Sequence, residues 1–255
     1  MLWIYGINPV ESVLKNRPKD VKELVIIKTF DEKKENERLD AVIALAKKHN
    51  IRVNEKNTND LSEELKAKTT TAHQRVFALV NPPKIYELKE LLGENKDVGR
   101  NNGGDFFLML DGITDVHNIG AIIRTAAAMG VDAIILPKDR TATITADVYK
   151  TSAGAVENIK IVTEVNLTRC VEMLKKAEFW VYGFEEDGTK NIYSADLKGK
   201  ICCVIGGEDT GIRRLLKENC DIIFKIPLKT GVQSLNASVS AAIVIYEAAR
   251  QKNNN

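Results

Sequence analysis

The residues with chemistry to offer sit in three loops, each following an apolar run. The first loop is Leu110-Asp-Gly-Ile-Thr-Asp-Val-His-Asn118-Ile-Gly120-Ala-Ile-Ile-Arg124. Arg124 is a lone charge running into Thr-Ala-Ala-Ala, where a core helix uses neutral residues. An arginine snorkelling from a half-buried helix would also place it there. Its planar fork suits a phosphate. In the second loop Gly206 and Gly207 lead into Glu208 and on to Gly211. Glycines of this kind let the backbone approach a ligand closely. The third is Ile226-Pro-Leu-Lys-Thr-Gly-Val-Gln-Ser234-Leu-Asn236-Ala-Ser238. There a strand stops at a proline, and small polar residues open a long apolar helix. A loop feeding a helix N-terminus offers unpaired N–H groups and the positive end of a dipole to a ligand. An ordinary helix cap uses the same residue types.

The elements that must hold these loops are legible as a pattern. From Phe106 onward, apolar runs at 106–110, 133–136, 159–162, 179–183, 201–205 and 222–226 alternate with helical segments. Near-continuous apolar strands between helices predict a parallel sheet covered on both faces, in an α/β fold. Ligands of such sheets bind beyond the carboxyl ends of the strands, where all three loops fall.

Residues 1–82 read as a smaller α/β module. Asn8-Pro9-Val-Glu11 has the chemistry of a helix start, with Asn8 as the cap. Val21–Ile27 reads as a strand, 33–49 as an amphipathic helix, 51–53 as a strand, 60–68 as a polar helix and 75–80 as a strand. Asn81-Pro82-Pro83 ends the module, and 83–104, with Gly99-Arg-Asn-Asn-Gly-Gly104, has linker chemistry. The expected domains are therefore 1–82, a linker at 83–104, and 105–255.

Composition narrows the function. The chain has 255 residues, 44% hydrophobic and 28% charged, with a net charge of +2. That is an ordinary globular composition. Residues 1–82 carry 15 Lys/Arg against 12 Asp/Glu, net +3, which permits contact with RNA phosphate. Arg17, Lys19 and Arg75 are the candidate contacts, with Trp3 and Tyr5 as base-stacking or core aromatics. No apolar run approaches the roughly 18–20 residues of a membrane span, and the N-terminus lacks the features of a secretory signal. The expectation is a cytoplasmic protein without a membrane partner. Cys170, Cys202, Cys203 and Cys220 form no Cys-x-x-Cys pair, and His49, His73 and His117 are scattered, so no metal is expected. A nicotinamide-dependent enzyme would fit the α/β pattern, but the Gly-x-Gly-x-x-Gly fingerprint is absent.

Taken together, Asn118-Ile-Gly-x-x-x-Arg124, Gly206-x-Glu208-x-x-Gly211 and Ile226-Pro with Ser234-Leu-Asn236-x-Ser238 closely resemble the SpoU class of RNA 2′-O-ribose methyltransferases, within the SPOUT superfamily. Tyr149-Lys-Thr-Ser152-Ala-Gly154-Ala resembles a further segment of that class. The opening Tyr5-Gly-Ile-Asn-Pro-Val-Glu11 resembles its ribosomal-protein-like substrate-binding domain. His117 departs from the pattern, standing where many relatives have another residue before the Asn. The resemblance implies a deep trefoil knot, a homodimer, and S-adenosylmethionine lined by Gly206, Ile226 and Leu235. It also implies polar site roles for Asn118, Arg124, Glu208, Ser234 and Asn236. The two-domain layout most resembles the branch acting on a guanosine of 23S ribosomal RNA. The alternatives are a transfer-RNA 2′-O-methyltransferase and a non-catalytic RNA-binding protein.

Overall fold

Two sheets divide the chain. The computed structural model describes residues 1–28, 37–68, 74–93, 104–139, 144–208, 210–229, 231 and 234–253. Part of the expected 33–49 helix, most of the Gly99–Gly104 run and His73 lie outside the described residues. Two compact units result: Met1–Pro83 with Ile144–Asn158, and Lys84–Thr143 with Ile159–Asn255.

The first unit contains β1 (Leu2–Tyr5), α1 (Ile7–Asn16), β2 (Val21–Ile27), α2 (Glu37–Lys48), β3 (Arg52–Lys56), α3 (Glu63–Lys68) and β4 (Val76–Val80). Its sheet has the order β1-β4-β2-β3, with β2 and β3 parallel and the other pairs antiparallel. Helix α1 packs on α2 and buries Val10, Val13 and Leu14. Another cluster joins Tyr5, Val25, Ile27, Leu61, Leu65 and Phe77, so Tyr5 is a core residue. The expected Asn8 cap is not used. The N-cap is Gly6, and the Ile7 N–H donates to Gln74 Oε1 at 2.9 Å, because a distant turn supplies the acceptor. Asn8 Oδ1 instead accepts from Arg38 Nη2 at 2.5 Å.

Residues 144–158, with helix α6 (Ala146–Thr151), complete this unit. Arg17, expected as a phosphate contact, is consumed here. Its Nε donates to Glu157 Oε2 at 2.7 Å, and its Nη2 to Tyr149 Oη at 3.0 Å and Asn81 O at 3.0 Å. The Tyr149 hydroxyl also donates to Glu157. Burial and the Glu157 charge push the phenol well above its ordinary range. Gly154 is required by close approach: at φ +82 it faces α1, and a Cβ there would lie 2.8 Å from Ser12 Cβ and 2.9 Å from Asn8 O. Arg75 Nε is likewise occupied, donating to Ile27 O at 3.0 Å.

The second unit contains β5 (Ile85–Tyr86), α4 (Leu88–Leu91), β6 (Phe106–Asp111), α5 (Val116–Ala128), β7 (Ala133–Pro137), β8 (Lys160–Glu164), α7 (Leu167–Lys176) and β9 (Trp180–Phe184). It continues with β10 (Lys190–Asn191), β11 (Ile201–Gly206), α8 (Arg214–Asn219), β12 (Ile222–Lys225) and α9 (Ala237–Asn253). The eight-stranded sheet has the order β10-β12-β9-β11-β6-β7-β8-β5, and every pairing is parallel, as the apolar runs predict. Side chains alternate between the faces of a strand. Phe107, Met109, Cys202 and Val204 meet Val171 and Leu174 of α7 and Leu216 of α8. On the alternate positions of the sheet, α9 packs on β11 and α5.

Candidate active site

From β6 the chain runs outward through β7 and β8, then returns to lay β11 against the other side of β6. Strand order reverses at this boundary. A cleft of about 330 Å³ opens at the ends of β9, β11 and β12. Gly206, Ile226 and Leu235, expected to line a cofactor, all line it, together with Glu208 and Ser234. Gly206 permits this by close approach: a Cβ would lie 2.2 Å from Gly211 C and 2.4 Å from Ile212 N.

Beside the cleft, three separated residues converge. Asn118 Nδ2 donates to Glu208 Oε1. Asn236 Nδ2 donates to Asn118 Oδ1 at 3.1 Å and to Glu208 Oε1 at 3.2 Å. Asn118 reaches them from the first turn of α5, which begins at Val116 with Asp115 as its cap. It is one of the few buried polar residues among the described residues, 7% exposed. Asn236 also accepts from Ser238 N at 2.9 Å and Ser238 Oγ at 2.5 Å, so one side chain both caps α9 and joins the site. The capping role of Asn236 and its place in the cluster are therefore compatible.

Arg124 is not brought to this cluster. Six residues beyond Asn118, it points about 120° away from it round the helix. It is exposed, and among the described residues it makes no hydrogen bond or ion pair. His117 is exposed, its N–H donating to the capping Asp115 at 2.9 Å.

Residues that sequence reasoning missed complete the cleft. Phe184 and Leu228 add apolar wall, and Glu185, Glu186 and Asp187 make one rim acidic. Lys217 Nζ lies 2.7 Å from Asp187 Oδ2 and 2.5 Å from Glu185 Oε2. Asp187 and then Glu185 hold the Lys217 ammonium above its ordinary range, while Lys217 holds the Asp187 carboxyl below its own. Among the described residues no group of three His, Cys, Asp or Glu is placed to hold a metal ion, and no helix is long and apolar enough to cross a membrane.

The cleft suits a medium-sized organic cation with a flat aromatic part. Its volume is within the range of ligand pockets. Phe184, Ile226, Leu228 and Leu235 offer apolar surface, and the acidic rim complements positive charge. S-adenosylmethionine, with an adenine ring, a sulfonium and an ammonium group, fits that donor set.

A parallel α/β sheet with a cleft at the carboxyl ends of β9, β11 and β12 defines the class. The family follows from comparison. Residues 105–246 match the model of the SpoU rRNA methylase family, and residues 3–86 match that of the RNA 2′-O ribose methyltransferase substrate-binding domain. The chain belongs to the SpoU rRNA methylase family. It is 38% identical over 250 residues to the 23S rRNA (guanosine-2′-O-)-methyltransferase RlmB of Xanthomonas campestris, covering 98% of this chain and 96% of that one. It is 38% identical over 252 residues to the protein of the same name from Pseudomonas aeruginosa, with the same coverage. The SpoU methyltransferase AviRb of Streptomyces viridochromogenes, solved with AdoMet, shares the fold, with a TM-score of 0.77 at 19% identity over 99% of this chain and 91% of that one.

Proposed function

We propose that this chain transfers a methyl group from S-adenosylmethionine to the 2′-hydroxyl of a ribose in RNA, at a guanosine of 23S ribosomal RNA. One observation carries the reading most directly. Asn118, Glu208, Ser234 and Asn236, spread over more than a hundred residues of a SpoU-family chain, gather at one cleft with Gly206, Ile226 and Leu235 in its walls. Near-full-length similarity to relatives named for 23S ribosomal RNA favours that substrate over transfer RNA.

S-adenosylmethionine supplies an electrophilic methyl group on a positively charged sulfur. The protein must hold that donor, hold the ribose in line with it, and stabilise the charge growing on the ribose oxygen. Gly206, Ile226 and Leu235 hold the donor. The Asn118–Glu208–Asn236 cluster fixes polar groups at the mouth, and Ser234 contributes its hydroxyl beside them. Arg124 is a guanidinium and no base, so the proton that the ribose hydroxyl loses as its oxygen takes the methyl group passes to solvent water. Its role is to grip the neighbouring phosphate and stabilise the developing alkoxide.

Residues 1–82, with 144–158, then serve as the RNA-binding domain, and the rest of 105–255 as the methyltransferase domain, to which the 83–104 segment adds β5 and α4. The cleft-forming loops are the segment that a trefoil knot would contain, supported by family membership. A homodimer is supported by the stripe Val239, Ile243 and Tyr246 on α9, which is 46%, 36% and 59% exposed at helical spacing. Light scattering tests the dimer. A ribosomal-RNA substrate supports a cytoplasmic location.

The test is incubation of wild type and Arg124→Ala with labelled S-adenosylmethionine and total RNA from a strain lacking the activity. Label in 23S ribosomal RNA, absent with Arg124→Ala, is the expected result. Label confined to transfer RNA overturns the substrate choice, and RNA binding without incorporation overturns the catalytic reading.

A further inference from the structure

The turn carrying Glu208 is held by two carboxylates that have no part in the motifs, Asp111 behind it and Glu185 in the cleft wall. Asp111 is the last residue of β6, in register with Gly206, and is 1% exposed. Its Oδ2 accepts from the Arg213 backbone N–H at 2.9 Å, its Oδ1 from Arg213 Nε at 2.7 Å, and its carbonyl from the Gly207 N–H at 2.8 Å. Glu185, just past β9, accepts from the Ile212 backbone N–H and pairs with Lys217. The turn closes on itself through Gly211 N–H to Gly207 O at 2.9 Å. Both flanks of the 207–213 turn are therefore tied to neighbouring strands by charge-assisted hydrogen bonds, roughly twice as strong as neutral ones.

The placement has a functional direction. Asp111 follows Phe107 and Met109 on the face of the sheet that meets α7 and α8, and it does not line the cleft. Glu208, on the same turn, reaches Asn118 and Asn236. A carboxylate buried to 1% is costly unless its hydrogen bonds are satisfied, so the Asp111–Arg213 geometry is held firmly.

We infer that Asp111 and Glu185 are positioning residues, which fix the 206–213 turn so that the cofactor wall and Glu208 are set before substrate arrives. The inference rests on the methyl-transfer reading. It gives Asp111 and Glu185 no contact with the reacting atoms.

The test combines amide hydrogen exchange of the unliganded protein with calorimetric titration of S-adenosylmethionine. It uses wild type, Asp111→Ala, Glu185→Ala and Arg213→Ala. In Asp111→Ala and Glu185→Ala, the amides of Gly207, Ile212 and Arg213 should exchange at least about tenfold faster, and Kd should rise about tenfold or more. The KM for RNA should change by less than about threefold. Arg213→Ala keeps the backbone N–H that Asp111 holds, so its Kd should stay within about threefold of wild type. Should Asp111→Ala not fold, Glu185→Ala decides the matter by amide exchange, because Glu185 also lines the cleft and its loss raises Kd by a second route. Folded variants with wild-type exchange and Kd within about twofold overturn the inference. Failure of wild type itself to bind S-adenosylmethionine overturns the methyl-transfer reading instead.

Discussion

Substituting Gly206→Ala probes the cleft at its tightest point. The new Cβ would lie 2.2 Å from Gly211 C, 2.4 Å from Ile212 N and 2.6 Å from Gly211 O. All three atoms are backbone, so no side chain can swing aside. Carbon atoms pack at about 3.5–4.0 Å, so the 207–213 turn must retreat by more than an ångström. Overpacking of this kind costs about 1–3 kcal/mol. If the retreating turn passes that cost to ligand binding, Kd for S-adenosylmethionine rises roughly 5- to 150-fold. The melting temperature should fall by about 2–4 °C per kcal/mol. Calorimetric titration and thermal unfolding read the two effects separately. Gly130→Ala is the control: at φ +80 with nothing within 4 Å of its Cβ, it adds only left-handed strain, about 1–2 kcal/mol. It should leave Kd unchanged. A Gly206→Ala protein that binds S-adenosylmethionine within about twofold of wild type would refute the assignment of this cleft.

Arg124→Ala should lower kcat by about 100-fold or more while leaving cofactor Kd and melting temperature near wild type, because the exposed side chain supports nothing else. Arg124→Lys should recover little, since an ammonium lacks the planar fork; full recovery would contradict the phosphate-grip role. Asn118→Ala leaves Glu208 and Asn236 without a shared partner and should cost about 1–3 kcal/mol of stability, with a fall in kcat/KM. Arg17→Ala strands Glu157, whose side chain is 3% exposed, and should destabilise the first unit by about 3–5 kcal/mol without changing cofactor Kd. Burial pushes the thiols of Cys170, Cys203 and Cys220 up to about 12, while unfolded thiols ionise near 8.5. The unfolded chain thus loses protons first, and stability should fall as pH rises from about 9 to 12. A denaturation midpoint that stays flat across that window contradicts this.

The six apolar runs were sufficient to read the second sheet, because a strand buried on both faces leaves an unbroken apolar signature. Short edge strands leave none, and β5 and β10, two residues each, were invisible for that reason. β1 also escaped, its four residues too short for alternation to register. Local chemistry misplaced the start of α1, since Asn8 has a good capping side chain but Gln74, sixty-six residues on, points at the helix end. The loops of the site were legible because glycine, small polar and charged residues cluster in them. Asp111 and Glu185 were not, since a carboxylate after a strand looks the same whether it meets water or a backbone N–H. Arg17 failed for the same reason: its partner Glu157 lies 140 residues away, and only the fold brings them together.

The decisive product is a methyl group on a ribose oxygen of one guanosine. Nucleoside mass spectrometry of unmodified 23S ribosomal RNA, after reaction with this protein and S-adenosylmethionine, detects it. Close to one 2′-O-methylguanosine per RNA molecule, at a single mapped position, is the expected result. Methylation on a base, or none in RNA that the folded protein binds together with S-adenosylmethionine, would contradict it.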